Sequence, residues 1–161
     1  MSSEPAVSPT PTPSPPRPFP LGRALLIAAA VILACFGCIQ LVPINRTNPP
    51  VVQEPKWDSP QTRALAKRAC FDCHSNETTW PWYSTVAPIS WSVYFDVVRG
   101  RREMNFSDWQ GGSSQLADRI DRAISSGQMP PGSYLMAHPD AQLSPAERQQ
   151  LIDGLKATLS Q

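Results

Sequence analysis

Histidine is scarce in this chain of 161 residues: there are two, His74 and His138. Cysteine is nearly as rare, and two of the four cysteines fall inside an apolar run, so Cys70 and Cys73 stand alone in the remainder. With one cysteine pair and two histidines, a closed four-ligand zinc site is hard to assemble. An excess of charge of one sign is lacking too. Fourteen basic side chains face 13 acidic ones, which gives no reason to expect a nucleic acid as partner. No stretch alternates apolar and polar residues convincingly, so no strand is expected, and a thioredoxin-like dithiol would lack its βαβ setting. There are no internal repeats, and no paired carboxylates stand out as a general acid and base. The chain reads as all-α, without evident catalytic apparatus, and no enzyme activity is expected of it.

Proline, by contrast, is abundant and unevenly spread. Eight of the 19 prolines fall in the first twenty residues, a composition that cannot bury a core and favours extended backbone. Residues 1–20 are therefore expected to be a disordered tail. From Ala24 to Leu41 no residue is charged, and only Gly37 and Gln40 interrupt the apolar run. Residues 21–42 are long enough for one transmembrane helix. A soluble helix apolar on every side would need more covering than so short a chain offers. A cleaved signal peptide fits poorly with the long Pro-rich lead, and a lipoprotein cysteine at Cys35 is a secondary reading. Residues 43–56, rich in Pro and Asn, read as a tether. Residues 57–161 form the remaining domain.

Four short helices with long irregular connections are expected there. Ser59 and Pro60 open the first, which delivers Cys70 near its end. Pro88 opens the second, with Ile89, Val93 and Val97 on one stripe and Gly100 as a break. Leu116, Ile120 and Ile124 mark the third, closed by Gly127. Ser144, Pro145 and Glu147 form a capping box for the fourth, whose core face is Leu151, Ile152, Leu155 and Leu159. Such a domain buries little apolar surface per residue, and a large apolar cofactor would supply the missing core.

Cys70-Phe71-Asp72-Cys73-His74 matches the C-x-x-C-H pattern of covalent haem c attachment. Two sulfurs a helical turn apart suit the two vinyl groups of a porphyrin, and the adjacent imidazole, kept neutral, suits its iron. Cys35-Phe36-Gly37-Cys38 also reads C-x-x-C, but Ile39 follows it, and two small apolar residues in a helix explain it better. A second iron ligand is sought among Met104, Met129, Met136 and His138. Met129, in a rigid Pro-containing segment before the last helix, is preferred, and Met104 reads as core filler.

"CFDCHSNETTWPWYSTVAPISW", with "DVVRGRREMNFSDW" and "MPPGSYLMAHPDAQLS", closely resembles the bacterial haem-binding domain family of cytochrome c-like proteins. The resemblance covers residues 57–161. It implies one covalent haem c per chain with His74 as proximal ligand. It also implies a pocket shaped by Trp80, Pro81, Trp82, Tyr83, Pro88, Trp91, Asn105, Phe106 and Trp109. Met129 stands before the final helix much as in small cytochromes c. Arg99, Arg101 and Arg102 are candidates to pair with haem propionates.

Arg17 and Arg23 precede the span and Arg46 and Lys56 follow it, so charge alone does not orient it. Haem c attachment takes place outside the cytoplasm. The expected topology is therefore a single-pass protein of a bacterial inner membrane, with a cytoplasmic tail and its haem domain in the periplasm. Electron transfer with partner proteins of the respiratory membrane is the expected function. A haem-based sensor with a displaceable sixth ligand is the alternative, and a peroxidase would depend on His138 as its distal base.

Overall fold

The computed structural model describes residues 20–160. The Pro-rich tail expected at residues 1–20 thus lies, apart from Pro20, outside the described residues. Two compact units are present, one ending at Cys38 and one running from Ile39 onward.

The first unit carries α1 (Leu21–Ile39), none of whose side chains is buried. At about 1.5 Å per residue its 19 residues extend for about 28 Å, close to the ~30 Å hydrocarbon core of a bilayer. By length and composition α1 can cross a membrane. It stops at Ile39, three residues before the expected end at 42.

The second unit is built from α2 (Pro60–Ala69), α3 (Phe71–His74), α4 (Ile89–Glu103), α5 (Ser114–Ser125), α6 (Gly132–Ala137) and α7 (Pro145–Leu159), with 3-10 turns at Trp82–Thr85 and Pro139–Ala141. Among the described residues there is no strand, only an isolated parallel bridge between Gln53 and Asp108. The four expected helices are α2, α4, α5 and α7; α3 and α6 are short additions. The caps form as local chemistry dictates. The Ser59 hydroxyl accepts from the Thr62 N–H, and Ser144 and Glu147 close a reciprocal capping box.

Helix α7 is the spine, with α5 and α2 packed on it, while α3 packs on α4. The core joins Leu65, Ala66 and Ala69 of α2, Phe71 of α3 and Leu151, Ile152, Leu155 and Leu159 of α7, with Phe106 at its centre. Phe106 is fully buried, its ring 5.0 Å from Trp57 and 5.5 Å from Phe71. Helix α4 contributes nothing to this cluster.

Two expectations need correction. Gly100 does not break α4, which continues to Glu103. The residue is buried where α4 crosses α3, and a Cβ there would run into the Cys73 carbonyl. Glycine is used at this point for close approach between two backbones. Residues 43–56, in turn, do not stand free as a spacer. Arg46 Nη1 donates to the Ser84 carbonyl at 2.8 Å, Asn48 Nδ2 to Thr78 at 2.9 Å, and the Pro50 carbonyl accepts from Asn76 Nδ2 at 2.9 Å. The segment lies along the second unit as a strap.

Candidate functional site

A cavity of about 840 Å3 opens in the second unit, within the ~300–1,000 Å3 range usual for cofactor and ligand sites. Its apolar walls are the stripes that periodicity marks as core faces. Ile89, Val93 and Val97 come from α4, Leu116, Ile120 and Ile124 from α5, and Leu151 and Leu155 from α7. The α4 stripe, which joins no packed core, faces this space instead.

Cys70, Cys73 and His74 line the same cavity. Cys70 ends α2, its N–H bonded to the Ala66 carbonyl at 2.8 Å, and Cys73 sits in the single turn of α3. The two thiols are unpaired. Burial pushes the Cys70 thiol up to about 12. Burial, followed by the carboxylates of Asp96 and Asp72, pushes Cys73 up to about 11. In the unmodified chain both therefore remain S–H at neutral pH.

His74 is held at both ends. Its carbonyl accepts from the Phe106 N–H at 2.8 Å, and its Nδ1 lies 3.2 Å from the Met104 carbonyl. Burial lowers its pKa, with the backbone bonds to Met104 and Gly100 opposing. The ring is neutral at pH 7, and with the Nδ1 proton donated to Met104 the lone pair is on Nε2. A histidine held in this way is able to act as a ligand.

Met129, His138, Tyr83, Tyr134 and Asp72 also line the cavity. The Met129 N–H donates to Ala123 at 3.0 Å, tying it to the end of α5. His138 is less free: its Nε2 lies 2.9 Å from the Tyr83 hydroxyl, and its ring stacks on Tyr134 at 4.3 Å. The Tyr134 hydroxyl donates to Asp72 Oδ2 at 2.8 Å, and burial together with that carboxylate keeps the phenol protonated. Two tyrosines thus latch the segment after Met129 to the C-x-x-C-H turn and its neighbour. Met104 lines the cavity but packs against the core, and Met136 is 83% exposed and outside the lining.

Of the aromatic residues singled out from the sequence, the structure brings only Tyr83 to the cavity. Trp80 donates from Nε1 to Asn48 Oδ1 at 3.2 Å, and Trp82 is 79% exposed. Trp91 is half-buried, with its Nε1 buried and unpartnered. Phe106 is in the core with Trp109 stacked on it at 6.2 Å. Asn105 bonds to Asn76 Oδ1 at 2.9 Å and accepts from the Ser107 N–H, so it orders the loop behind His74. Pro81 lines the cavity and Pro88 does not. Of the three arginines, Arg99 lines it. Arg101 is turned to the strap and loop, bonding Ser75, Asn48 and Thr78, and Arg102 lies outside the lining. Tyr134, Asp72, Arg119 and Arg148 line the cavity without having been singled out. Nothing local marks Tyr134, whose partner is 62 residues away.

The donor set fits a haem held by two thioethers and a neutral imidazole: a large apolar cavity, two protonated thiols and one prepared histidine. It does not fit a bare metal ion, since among the described residues no three His, Cys, Asp or Glu side chains are grouped so that they could hold one. In comparisons with known proteins, a family model described as a haem-binding domain matches residues 34–157. Searches of curated proteins and of solved structures found no match.

Proposed function

Because the chain belongs to the haem-binding domain family, we propose that it is a membrane-anchored monohaem c-type cytochrome that carries electrons between proteins of a respiratory membrane. The observation that carries this reading is the convergence of Cys70, Cys73 and His74 on one apolar cavity that Met129 also lines.

Cys70 and Cys73 would hold the porphyrin as thioethers, and His74 Nε2 and Met129 Sδ would take the iron. Bound there, the haem iron supplies a one-electron couple between its ferrous and ferric states. The chain's own part is to set the conditions of that couple. The Met104 carbonyl orients His74 and makes it a better donor. A methionine thioether from Met129 as second protein ligand would favour the reduced state, and the apolar stripes of α4 and α5 would keep water away. Arg99, Arg119, Arg122 and Arg148, also in the lining, are the cations available to the propionates. Covalent attachment of this kind takes place outside the cytoplasm, so the second unit faces the periplasm of a bacterial inner membrane and α1 anchors it.

Met129 is 43% exposed, and this favours a second reading, a haem sensor whose sixth ligand is displaceable. A peroxidase has less support, since His138 already engages the Tyr83 hydroxyl through Nε2.

The first test is the absorption spectrum of the denatured protein in alkaline pyridine, which should show haem retained by the polypeptide; its loss on denaturation would refute covalent attachment. Carbon monoxide added to the reduced native protein then separates the two readings. Slow or negligible binding, becoming fast and complete in Met129→Ala, fits the electron carrier. Fast, complete binding in the unaltered protein fits the sensor, and an unchanged ferric spectrum in the variant removes Met129 as ligand.

A further inference from the structure

One surface feature is not used by haem binding. Trp82 is 79% exposed, in a segment from Thr78 to Phe95 that contains no charged residue. A tryptophan so exposed forgoes the burial that large aromatics ordinarily find in a folded domain. It also lies outside the cavity lining.

The chain leaving α1 is fastened to this same segment. Gln40 grips Ala87 with both ends of its amide: Nε2 donates to the Ala87 carbonyl at 3.1 Å, and Oε1 accepts from the Ala87 N–H at 2.9 Å. Arg46 Nη1 donates to the Ser84 carbonyl at 2.8 Å. The turn at Trp82–Thr85 and the residues after it are thus clamped to the residue that follows Ile39, where α1 ends. Between the two clamps Leu41 is 82% exposed and Val42 50% exposed, and no charge occurs before Arg46.

If α1 crosses a bilayer, the chain leaves the hydrocarbon at Ile39, and a hydrogen-bonded amide one residue later leaves Ala87 no room to be far from that surface. We propose that Leu41, Val42 and Trp82 form a membrane-seating face that rests in the headgroup region of the bilayer α1 spans. Tryptophan suits that depth, with its ring among acyl chains and its N–H in the hydrated layer. The uncharged Thr78–Phe95 segment suits it for the same reason: it brings no ion of its own to be dehydrated, and Arg46, clamped to Ser84, can meet the lipid phosphates. The inference rests on the proposed membrane span and not on the identity of the haem ligands.

The test uses the full chain, haem-loaded, in vesicles of phosphatidylcholine and phosphatidylglycerol, with the photoreactive benzoylphenylalanine placed at one position at a time. A probe at position 82 should form a phospholipid adduct on illumination, detected by mass. A probe at position 136, exposed on the same unit, should not. A probe at position 32, inside α1, reports on the span itself. Lipid capture at 32 without capture at 82, capture at 82 only by protein, or equal capture at 82 and 136 would overturn the seating face. No capture at 32 would remove the span, and the face with it. Gln40→Ala combined with Arg46→Ala, which opens both clamps, should abolish capture at 82 while leaving that at 32; undiminished capture at 82 would show that the clamps do not hold that position at the bilayer.

Discussion

Replacing Gly100 by Ala tests the architecture of the haem motif with a single methyl group. In an exposed helix the change would stabilise by about 0.8–1 kcal/mol, because alanine loses less backbone entropy. Here the added carbon meets the Cys73 carbonyl, with the Cys73 Cβ 3.0 Å away as well. The obstacle is mainly backbone, so no rotamer change relieves it, and α4 must move off α3. Overpacking of this kind costs about 1–3 kcal/mol, and a rigid obstacle puts this site at the upper end. The balance is a net loss of about 1–2 kcal/mol, and for a domain of this size a fall in melting temperature of about 4–10 °C. The movement has a chemical readout too. Met104 caps α4 and its carbonyl holds His74 Nδ1, so displacing α4 loosens the proximal ligand. Thermal melting followed by circular dichroism, together with the haem content of the purified protein, measures both effects. An alanine variant that melts at or above the unaltered protein and carries full haem would refute the close-approach argument.

Other outcomes can be stated more briefly. Tyr83→Phe removes the hydroxyl on His138 Nε2 and should cost about 0.5–1.5 kcal/mol in denaturant melts. It should also speed carbon monoxide binding by loosening the segment after Met129; unaltered kinetics would deny the latch that role. The Ser144 backbone N–H and the Arg68 guanidinium hold the Glu147 carboxyl down at about 2, below its ordinary value of 4.5. A depressed folded-state pKa stabilises above the ordinary value and loses that contribution as pH falls toward about 2. Glu147→Gln should therefore flatten the acid side of the stability profile between those values, more visibly at low salt; an unchanged slope would show the pair to be idle. Ser59→Ala removes the acceptor for the Thr62 N–H and should cost about 1 kcal/mol, and a loss of only a few tenths would mean that solvent serves as well.

The helices were legible where their signals are local. Ser59 with Pro60, and Ser144 with Glu147, announce helix starts through bonds spanning three residues. Gly100 was misread for the same reason. A glycine within a helical pattern looks like a break until the neighbouring backbone that requires it is in view. The strap of residues 43–56 was hidden likewise, since its polar and Pro-rich composition is that of a linker and its partners lie 26 to 54 residues away. The apolar stripes of α4 and α5 could be read as buried faces, but periodicity does not say whether a face meets another helix or a cavity.

The sequence by itself determined what depends on neighbours along the chain. The Cys-x-x-Cys-His spacing, the helix caps and the uncharged run of α1 each act within a few residues, so composition and order suffice. Tertiary structure decided which side chains share the cavity. It took Phe106 into the core, left Trp82 on the surface, drew Tyr134 to Asp72 and set His74 against the Met104 carbonyl 30 residues away. Those placements follow from which helix faces meet and how closely two backbones approach, and no local pattern records either.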